Sequence, residues 1–440
     1  MKGSLKLISL FLQTMVTIIS LIFIIGYVAI ALEHPIRINK AATALITGVL
    51  CWSVFAVSAP DKHIPAHLLT EYLGEVAGIL FFLLGAMTIV ELIDAHDGFE
   101  VITRRIQTTS KKKLVWVIGF LAFFLSAVLD NLTTTIVMLS LLRIVIPEKK
   151  DRLLFAGLVI IAVNAGGAWS PIGDVTTTML WIGGQISAGN IIIQTFLAGL
   201  ACFFVPALLI TRQLKGNFQF PDKITGSRNL SASKDRNTVF WVGILSLLFV
   251  PVFKTITHLP PYMGVLLGLG VMWVVTEMIH SEKDEAEKGL FSVNHALRKI
   301  DTPSILFFLG ILLSIAALQA TGILSDLAGW MNSSIGNIKI ITILIGLLSA
   351  IVDNVPLVAA AQGMYSLEQY PTDHYLWEFL AYCAGTGGSI LIIGSAAGVA
   401  AMGLEKIEFF WYLKKIGWLA LLGYLAGAGV YLLQLYLTHG

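Results

Sequence analysis

Three aspartates stand where a carboxylate is hardest to keep. Asp130 and Asp353 each open an Asp-Asn pair in the middle of a long apolar run, 114–146 and 337–367, and Asp174 lies within the run 153–182. Holding an unpaired carboxylate at membrane depth costs several kcal/mol, so such residues are usually functional. Their neighbours carry oxygen and no base. Asn131, Thr133, Thr134 and Thr135 follow Asp130, Ser349 and Asn354 lie on either side of Asp353, and Asn164, Ser170, Thr176 and Thr177 flank Asp174. A further run, 377–403, adds Thr386, Ser389 and Ser395. An acidic, oxygen-rich set without lysine or arginine suits a hard cation or a proton, and a carboxylate able to hold either offers one site to two competing ligands. Aspartate is also a common helix N-cap, so a purely capping role for Asp130 and Asp353 is the competing reading.

The chain that positions these residues has 440 residues, 56% of them hydrophobic and 13% charged, with a mean hydropathy of +0.83. A soluble domain carries about a quarter charged residues, so a water-soluble enzyme is excluded, and so is a disordered chain. The near-zero net charge of +2 gives no reason to expect nucleic acid as a partner. Cys51, Cys202 and Cys383 have no paired spacing, and the histidines form no ligand-spaced cluster, so neither a disulfide framework nor a metal centre of that kind is expected. Apolar runs occupy 7–31, 41–59, 76–95, 114–146, 153–182, 191–211, 239–257, 262–280, 303–320, 337–367, 377–403 and 408–437. The first is about twice the length of a signal-peptide core and reads as a retained helix.

As single helices, 114–146 and 337–367 would each be about 45–50 Å long against a hydrocarbon core of about 30 Å. The Asp-Asn pairs, with Pro356 in the first turn after the second, predict instead two half-helices meeting at a polar tip, a re-entrant hairpin in each case. Basic residues agree. Loops 96–113 (Arg104, Arg105, Lys111, Lys112, Lys113) and 147–152 (Lys149, Lys150, Arg152) flank the first run and both read as cytoplasmic, whereas loops 321–336 and 368–376 around the second contain no lysine or arginine. With both hairpins the basic linker 212–238 is cytoplasmic too, and all but five of the 29 basic residues (Lys2, Lys6, Lys62, Lys254 and Lys339) fall on that side, leaving the N-terminus external.

The two halves repeat. Phe82-Leu83-Leu84-Gly85 matches Phe307-Phe308-Leu309-Gly310, Ser126 to Asn131 matches Ser349 to Asn354, and Gly166-Gly167 with Gly173 matches Gly387-Gly388 with Gly394, at offsets of 225, 223 and 221. Glycines break the second element of each copy, and three spans separate the copies, which makes them inverted. Inverted repeats with broken helices at the midplane mark secondary transporters. The expected organisation is 1–75 as scaffold helices, 76–182 as the first repeat (hairpin 114–146, broken helix 153–182), 183–302 as central helices with the linker 212–238, 303–403 as the second repeat (hairpin 337–367, broken helix 377–403) and 404–440 as a C-terminal helix. Asp174 alone has no acidic counterpart, since its mate is Ser395.

The runs Ser126 to Thr135, Asn164 to Thr177 and Ser349 to Pro356 resemble NhaD-type sodium/proton antiporters of the ion transporter superfamily, over most of the chain from about Glu33. The resemblance implies an all-α polytopic membrane protein with that superfamily's fold, a scaffold beside a transport domain, a homodimer, elevator-like alternating access, and no cofactor beyond transported Na+ or Li+ and H+. It also implies a role in pH homeostasis, most naturally in a bacterial inner membrane. The cation- and proton-binding set is then Asp130, Asn131, Thr133, Thr134, Asn164, Asp174, Thr176, Thr177, Ser349, Asp353, Asn354 and Ser389, with Na+ held by Asp130, Asn164, Asp174, Asp353 and Asn354. An anion or metalloid carrier of the same superfamily (dicarboxylate or arsenite type) is the closest rival, although an aspartate at each tip repels anions. An intramembrane aspartyl protease is the rival from another class. Its Gly-x-Gly-Asp pattern is incomplete in Pro171-Ile-Gly-Asp174, and it has no use for an inverted repeat.

Overall fold

A computed structural model describes residues 2–103, 108, 110–146, 148–214, 216–218, 233–282, 289 and 291–439, and among them there is no β-strand. Lys215, Lys223 and Arg228 of the basic linker, and Arg104 and Arg105 of the first basic loop, lie outside the described residues. The main helices are α1 Lys2–Ala31, α2 Lys40–Ser58, α3 His63–Ala95, α4 Lys111–Leu129, α5 Asn131–Val145, α6 Lys149–Gly167, α7 Val175–Ile182, α8 Ala188–Gln213 and α9 Ser233–Thr257. They continue with α10 Pro261–Ile279, α11 Thr302–Ala320, α12 Ile323–Ile335, α13 Ile338–Leu348, α14 Asn354–Met364, α15 Tyr375–Gly387, α16 Ala396–Glu405 and α17 Trp418–His439. Nine helices among the described residues are long and apolar enough to cross a membrane.

The breaks fall where the sequence puts polar residues and glycines. The run 114–146 divides at Asp130 into α4 and α5, and 337–367 divides between Leu348 and Asn354 into α13 and α14. The run 153–182 divides between Gly167 and Val175, and 377–403 between Gly387 and Ala396. Helices also extend beyond the apolar runs: α3 begins at His63, ahead of the run 76–95. The segment 321–336, read as a loop, contains α12, which runs between Gly322 and Gly336, both at positive φ, and turns 115° into α13. Its apolar residues are spaced for one buried face (Leu324, Ala328) while Ser325, Asp326 and Asn332 lower its hydropathy, so a search for continuous apolar runs passes over it.

Contacts divide the chain into two compact units. The first comprises 1–81, 301–341 and 355–371. Its tightest seam joins α2 to α11, where a Cβ on Gly310 would lie 2.4 Å from the Leu45 nitrogen, Trp52 Nε1 donates to the Leu313 carbonyl at 2.8 Å, and Lys40 Nζ sits 4.4 Å above the Phe307 ring.

The second unit comprises 82–300, 342–354 and 372–440. At its centre α6 is buried on every side from Phe155 to Gly167, and α15 from Leu376 to Gly387. A helix apolar all round has no solvent face, as these positions require. Each meets a hairpin arm through the same pair of contacts. Ser126 Oγ donates to the Val163 carbonyl at 2.7 Å, and its mate Ser349 donates to the Ala384 carbonyl at 2.8 Å. A Cβ on Gly166 would lie 2.1 Å from the Phe123 oxygen, and one on Gly387 would lie 1.9 Å from the Gly346 oxygen. Across the breaks, Gly167 backs onto the Gly173 carbonyl and Gly388 onto the Gly394 carbonyl. The residues that restart the helices, Asp174 (φ −145°, ψ 149°) and Ser395 (φ −145°, ψ 153°), share one backbone conformation.

At the basic end of this unit the buried carboxylate of Glu405 receives Arg143 Nε at 2.6 Å and Arg152 Nε at 2.8 Å, fastening the ends of α5, α6 and α16 together. Neutralising it as Glu405→Gln strands two guanidinium groups and is expected to lower stability by about 2 kcal/mol, read as an earlier thermal unfolding midpoint in detergent. Gly166→Ala and Gly387→Ala force backbone apart and are expected to cost about 1–3 kcal/mol or more each. Gly429→Ala on α17, where a Cβ meets nothing within 4 Å, is the control that should unfold no earlier than the parent. Equal stability of the three alanine variants would show that the seams are not glycine-dependent.

Candidate cation site

All twelve candidate residues lie in the second unit. Asp130 caps α5: Oδ1 accepts the Thr133 N–H and Oδ2 the Thr133 hydroxyl, both at 2.8 Å. Its backbone, at φ 82° and ψ 161°, occupies a region that is essentially glycine-only and costs on the order of 1–3 kcal/mol for another residue. Such strain persists only where the surroundings impose it, and it clusters at ligand-binding positions. The next residue, Asn131, points its amide into the protein and donates to Asn164 Oδ1 at 3.0 Å.

Asn164 is the hub. Fully buried in the last turn of α6, it accepts from Asn131 and donates through Nδ2 to Ser389 Oγ at 2.9 Å and Ser395 Oγ at 3.0 Å. One amide therefore ties the first tip to the break between α15 and α16. Asp174 makes the reciprocal tie. It caps α7 through the Thr176 N–H at 3.4 Å, and its Oδ2 accepts Asn354 Nδ2 from the second tip at 3.1 Å. Asp130 and Asp353 both lie close enough to act electrostatically on Asp174. Three carboxylates thus share one neighbourhood, brought there from residues 44 to 223 positions apart in the chain.

The remaining candidates divide. Thr133 serves Asp130, and Ser389 accepts from Asn164. The Thr134 hydroxyl, in the first turn of α5, is buried with no hydrogen-bond partner among the described residues, an arrangement native structures rarely leave without a ligand or water to explain it. Thr177 donates its hydroxyl proton to the Asp174 carbonyl and Ser349 to the Ala384 carbonyl, so both pin backbone and keep oxygen lone pairs to offer. Ser395, which sequence reasoning kept out of the candidate set, holds an Asn164 hydrogen bond and caps α16 through the Gly398 N–H. The offset of 221 between the breaks was the signal that could have found it, since it pairs Ser395 with Asp174. Two buried acids away from the breaks, Glu378 and Glu405, were also passed over because they sit at the ends of apolar runs.

Asp130 and Asp174 line one cavity of about 20 Å³, walled otherwise by Thr178 and by apolar residues that include Phe82, Ala86, Val128, Ile172 and Leu247, with no basic side chain in the lining. Room for one water needs about 10–15 Å³, so the space admits a single small occupant. Two carboxylates facing it can take a proton or a hard cation. Among the described residues no group of His, Cys, Asp or Glu has the grouping of a conventional metal centre.

The profile of the CitMHS family, described as citrate transporter, matches residues 21–385. Sodium/proton antiporter 1 of Arabidopsis thaliana is 50% identical over 94% of this chain and 71% of its own length. The Na(+)/H(+) antiporter NhaD of Vibrio cholerae is 30% identical over 94% of this chain and 90% of its own length. The crystal structure of the Alcanivorax borkumensis YdaH transporter shares the fold, with a TM-score of 0.59 at 13% identity, covering 91% of this chain and 99% of that one. The chain is therefore a multi-pass membrane transporter that belongs to the family of the NhaD-type sodium/proton antiporters, within the compass of the citrate transporter profile.

Proposed function

We propose that the chain exchanges Na+ or Li+ for H+ across the membrane, with Asp130, Asp174 and Asp353 binding cation and proton competitively. The observation that carries this reading is the cavity faced by Asp130 and Asp174 and by no basic residue. The ends of half-helices α5 and α7 would by themselves favour an anion. A carboxylate at each cap reverses that preference, which disfavours citrate or another carboxylate as cargo in spite of the profile's description. The names of the relatives support the same assignment. Re-entrant hairpins, inverted repeats, elevator-like movement of the site and a homodimer complete the proposal, with the scaffold at 1–75 and the repeats at 76–182 and 303–403. No cofactor has a part in it. A bacterial inner membrane and a role in pH homeostasis belong to the proposal too; relatives at 50 and 48% identity are plant proteins, and those near 30% are bacterial.

In proteoliposomes, sodium or lithium added to one side is expected to collapse an imposed pH gradient. Silence toward both ions, with citrate or arsenite flux intact, would overturn the assignment. Competition sets the sign of the pH dependence: as protons become more abundant they occupy the carboxylates, so half-saturating sodium should rise from about pH 9 to about pH 7, by up to about tenfold per unit for one competing proton. A half-saturation that is flat across this window would remove the shared site.

Asp174→Asn keeps the shape and removes the charge; exchange should fall by at least about tenfold, the factor that 1.4 kcal/mol of binding represents. Asp130→Gly separates the cap from the ligand. Glycine relieves the positive φ and serves as an N-cap almost as well, so this variant should be at least as thermally stable as the parent while losing exchange. If it retains exchange, Asp130 is a cap and nothing more.

A further inference from the structure

The repeat that builds the site is symmetric in backbone and asymmetric in chemistry at one pair of loci. Adding 221 converts Asn164 into Gly385, Ala168 into Ser389 and Asp174 into Ser395. The structure keeps this correspondence in contacts. The Asn164 amide touches Ser389 and Ser395 at 2.9 and 3.0 Å, and a Cβ on Gly385 would touch Asp174 Oδ2 at 3.3 Å and the Ala168 Cβ at 3.4 Å, the mates of those same residues. Each locus also receives an asparagine from a hairpin tip, Asn131 to Asn164 in one and Asn354 to Asp174 in the other.

The two loci therefore have one geometry and opposite contents. At the first, a side-chain amide fills the space and directs its N–H groups at two hydroxyls, and an N–H donor cannot ligate a cation. At the second, residue 385 contributes no side chain, and a carboxylate stands where the first has a serine. The Asp174 carboxylate also lines the small cavity with Asp130, whereas Asn164, Gly385, Ser389 and Ser395 do not border it.

We infer that the duplicated core holds one alkali cation per chain, in the small cavity that Asp130 and Asp174 line, and that Asn164 closes the locus equivalent to that of Asp174. The inference rests on the cation-binding reading and adds its number and its asymmetry. Gly385 becomes a specificity-determining position, because an asparagine there would need the room that the Asp174 carboxylate occupies.

The test is binding of radioactive sodium to the purified full-length chain at alkaline pH, alongside the sodium dependence of exchange in proteoliposomes. One sodium bound per chain, with a Hill coefficient near 1, is expected; two per chain, or a coefficient approaching 2, overturns the inference while leaving the antiport reading intact. A parent chain that neither binds sodium nor exchanges it overturns both. Gly385→Asn should lower sodium binding at least tenfold, with Gly385→Ala giving a smaller loss from its single added methyl. Gly385→Asn with unchanged sodium affinity also overturns the inference, and the stoichiometry of the parent decides the matter if that variant does not fold.

Discussion

The second unit depends on backbone meeting backbone without a Cβ between. Gly166 lies against the Phe123 carbonyl and Gly387 against the Gly346 carbonyl, so close that any side chain would have to push the helices apart. This seam brings the hairpin arms near enough for their tips to reach the breaks in α6–α7 and α15–α16. It also answers a problem the breaks create. A helix interrupted within the membrane leaves backbone groups without partners, and no water is at hand to satisfy them. Here the protein supplies the partners: Ser170 donates to the Ala127 carbonyl, Thr178 to Pro171 and Tyr412 to Ser389, while the Ser126 and Ser349 hydroxyls bond carbonyls of the helices they pack against. Close approach comes first, and the polar network is possible only because of it.

Once the frame is fixed twice, its contents need not be. The backbone angles of Asp174 and Ser395 agree to within a few degrees, and both cap the helix that follows. A carboxylate and a hydroxyl are equally good caps, so capping alone gives no reason for the difference. What differs is the charge presented to the interior. The exchange of Asn164 for Gly385 goes with it, since the carboxylate occupies room that an asparagine at 385 would need. The capping role of Asp174 and its interior role are consequently compatible.

Much of the architecture was legible in the sequence because hydrophobic length and turn chemistry act locally. Run lengths, the Asp-Asn pairs and the glycine clusters located the breaks within the four runs 114–146, 153–182, 337–367 and 377–403. What stayed hidden was decided by relief rather than by pattern. The amphipathic helix α12 has too many polar residues to register as a span, and its φ-positive glycines at both ends read equally well as loop. The partners of Thr177 and Ser349 were hidden for a related reason: a hydroxyl in a polar break looks the same in sequence whatever carbonyl it bonds, and here they are those of Asp174 and Ala384. Gly385 reads in sequence as no more than another glycine of its run, because a glycine's importance lies in what occupies the space it leaves, and that occupant is 211 residues away.

The same reasoning separates what the frame dictates from what it leaves open. The N-termini of the half-helices α5 and α7 meet at the interior, so the bare frame favours an anion. The caps decide whether that preference stands. A serine, as at 395, leaves the helix N-terminus positive and suited to an anion; an aspartate, as at 130 or 174, overrides a partial charge of about half a unit with a full one of opposite sign. A family with a citrate transporter profile and sodium/proton antiporter members then needs no change of fold between cargoes. On the proposed reading the capping positions carry the sign of the field, and the seams that hold those positions together are the same for either cargo.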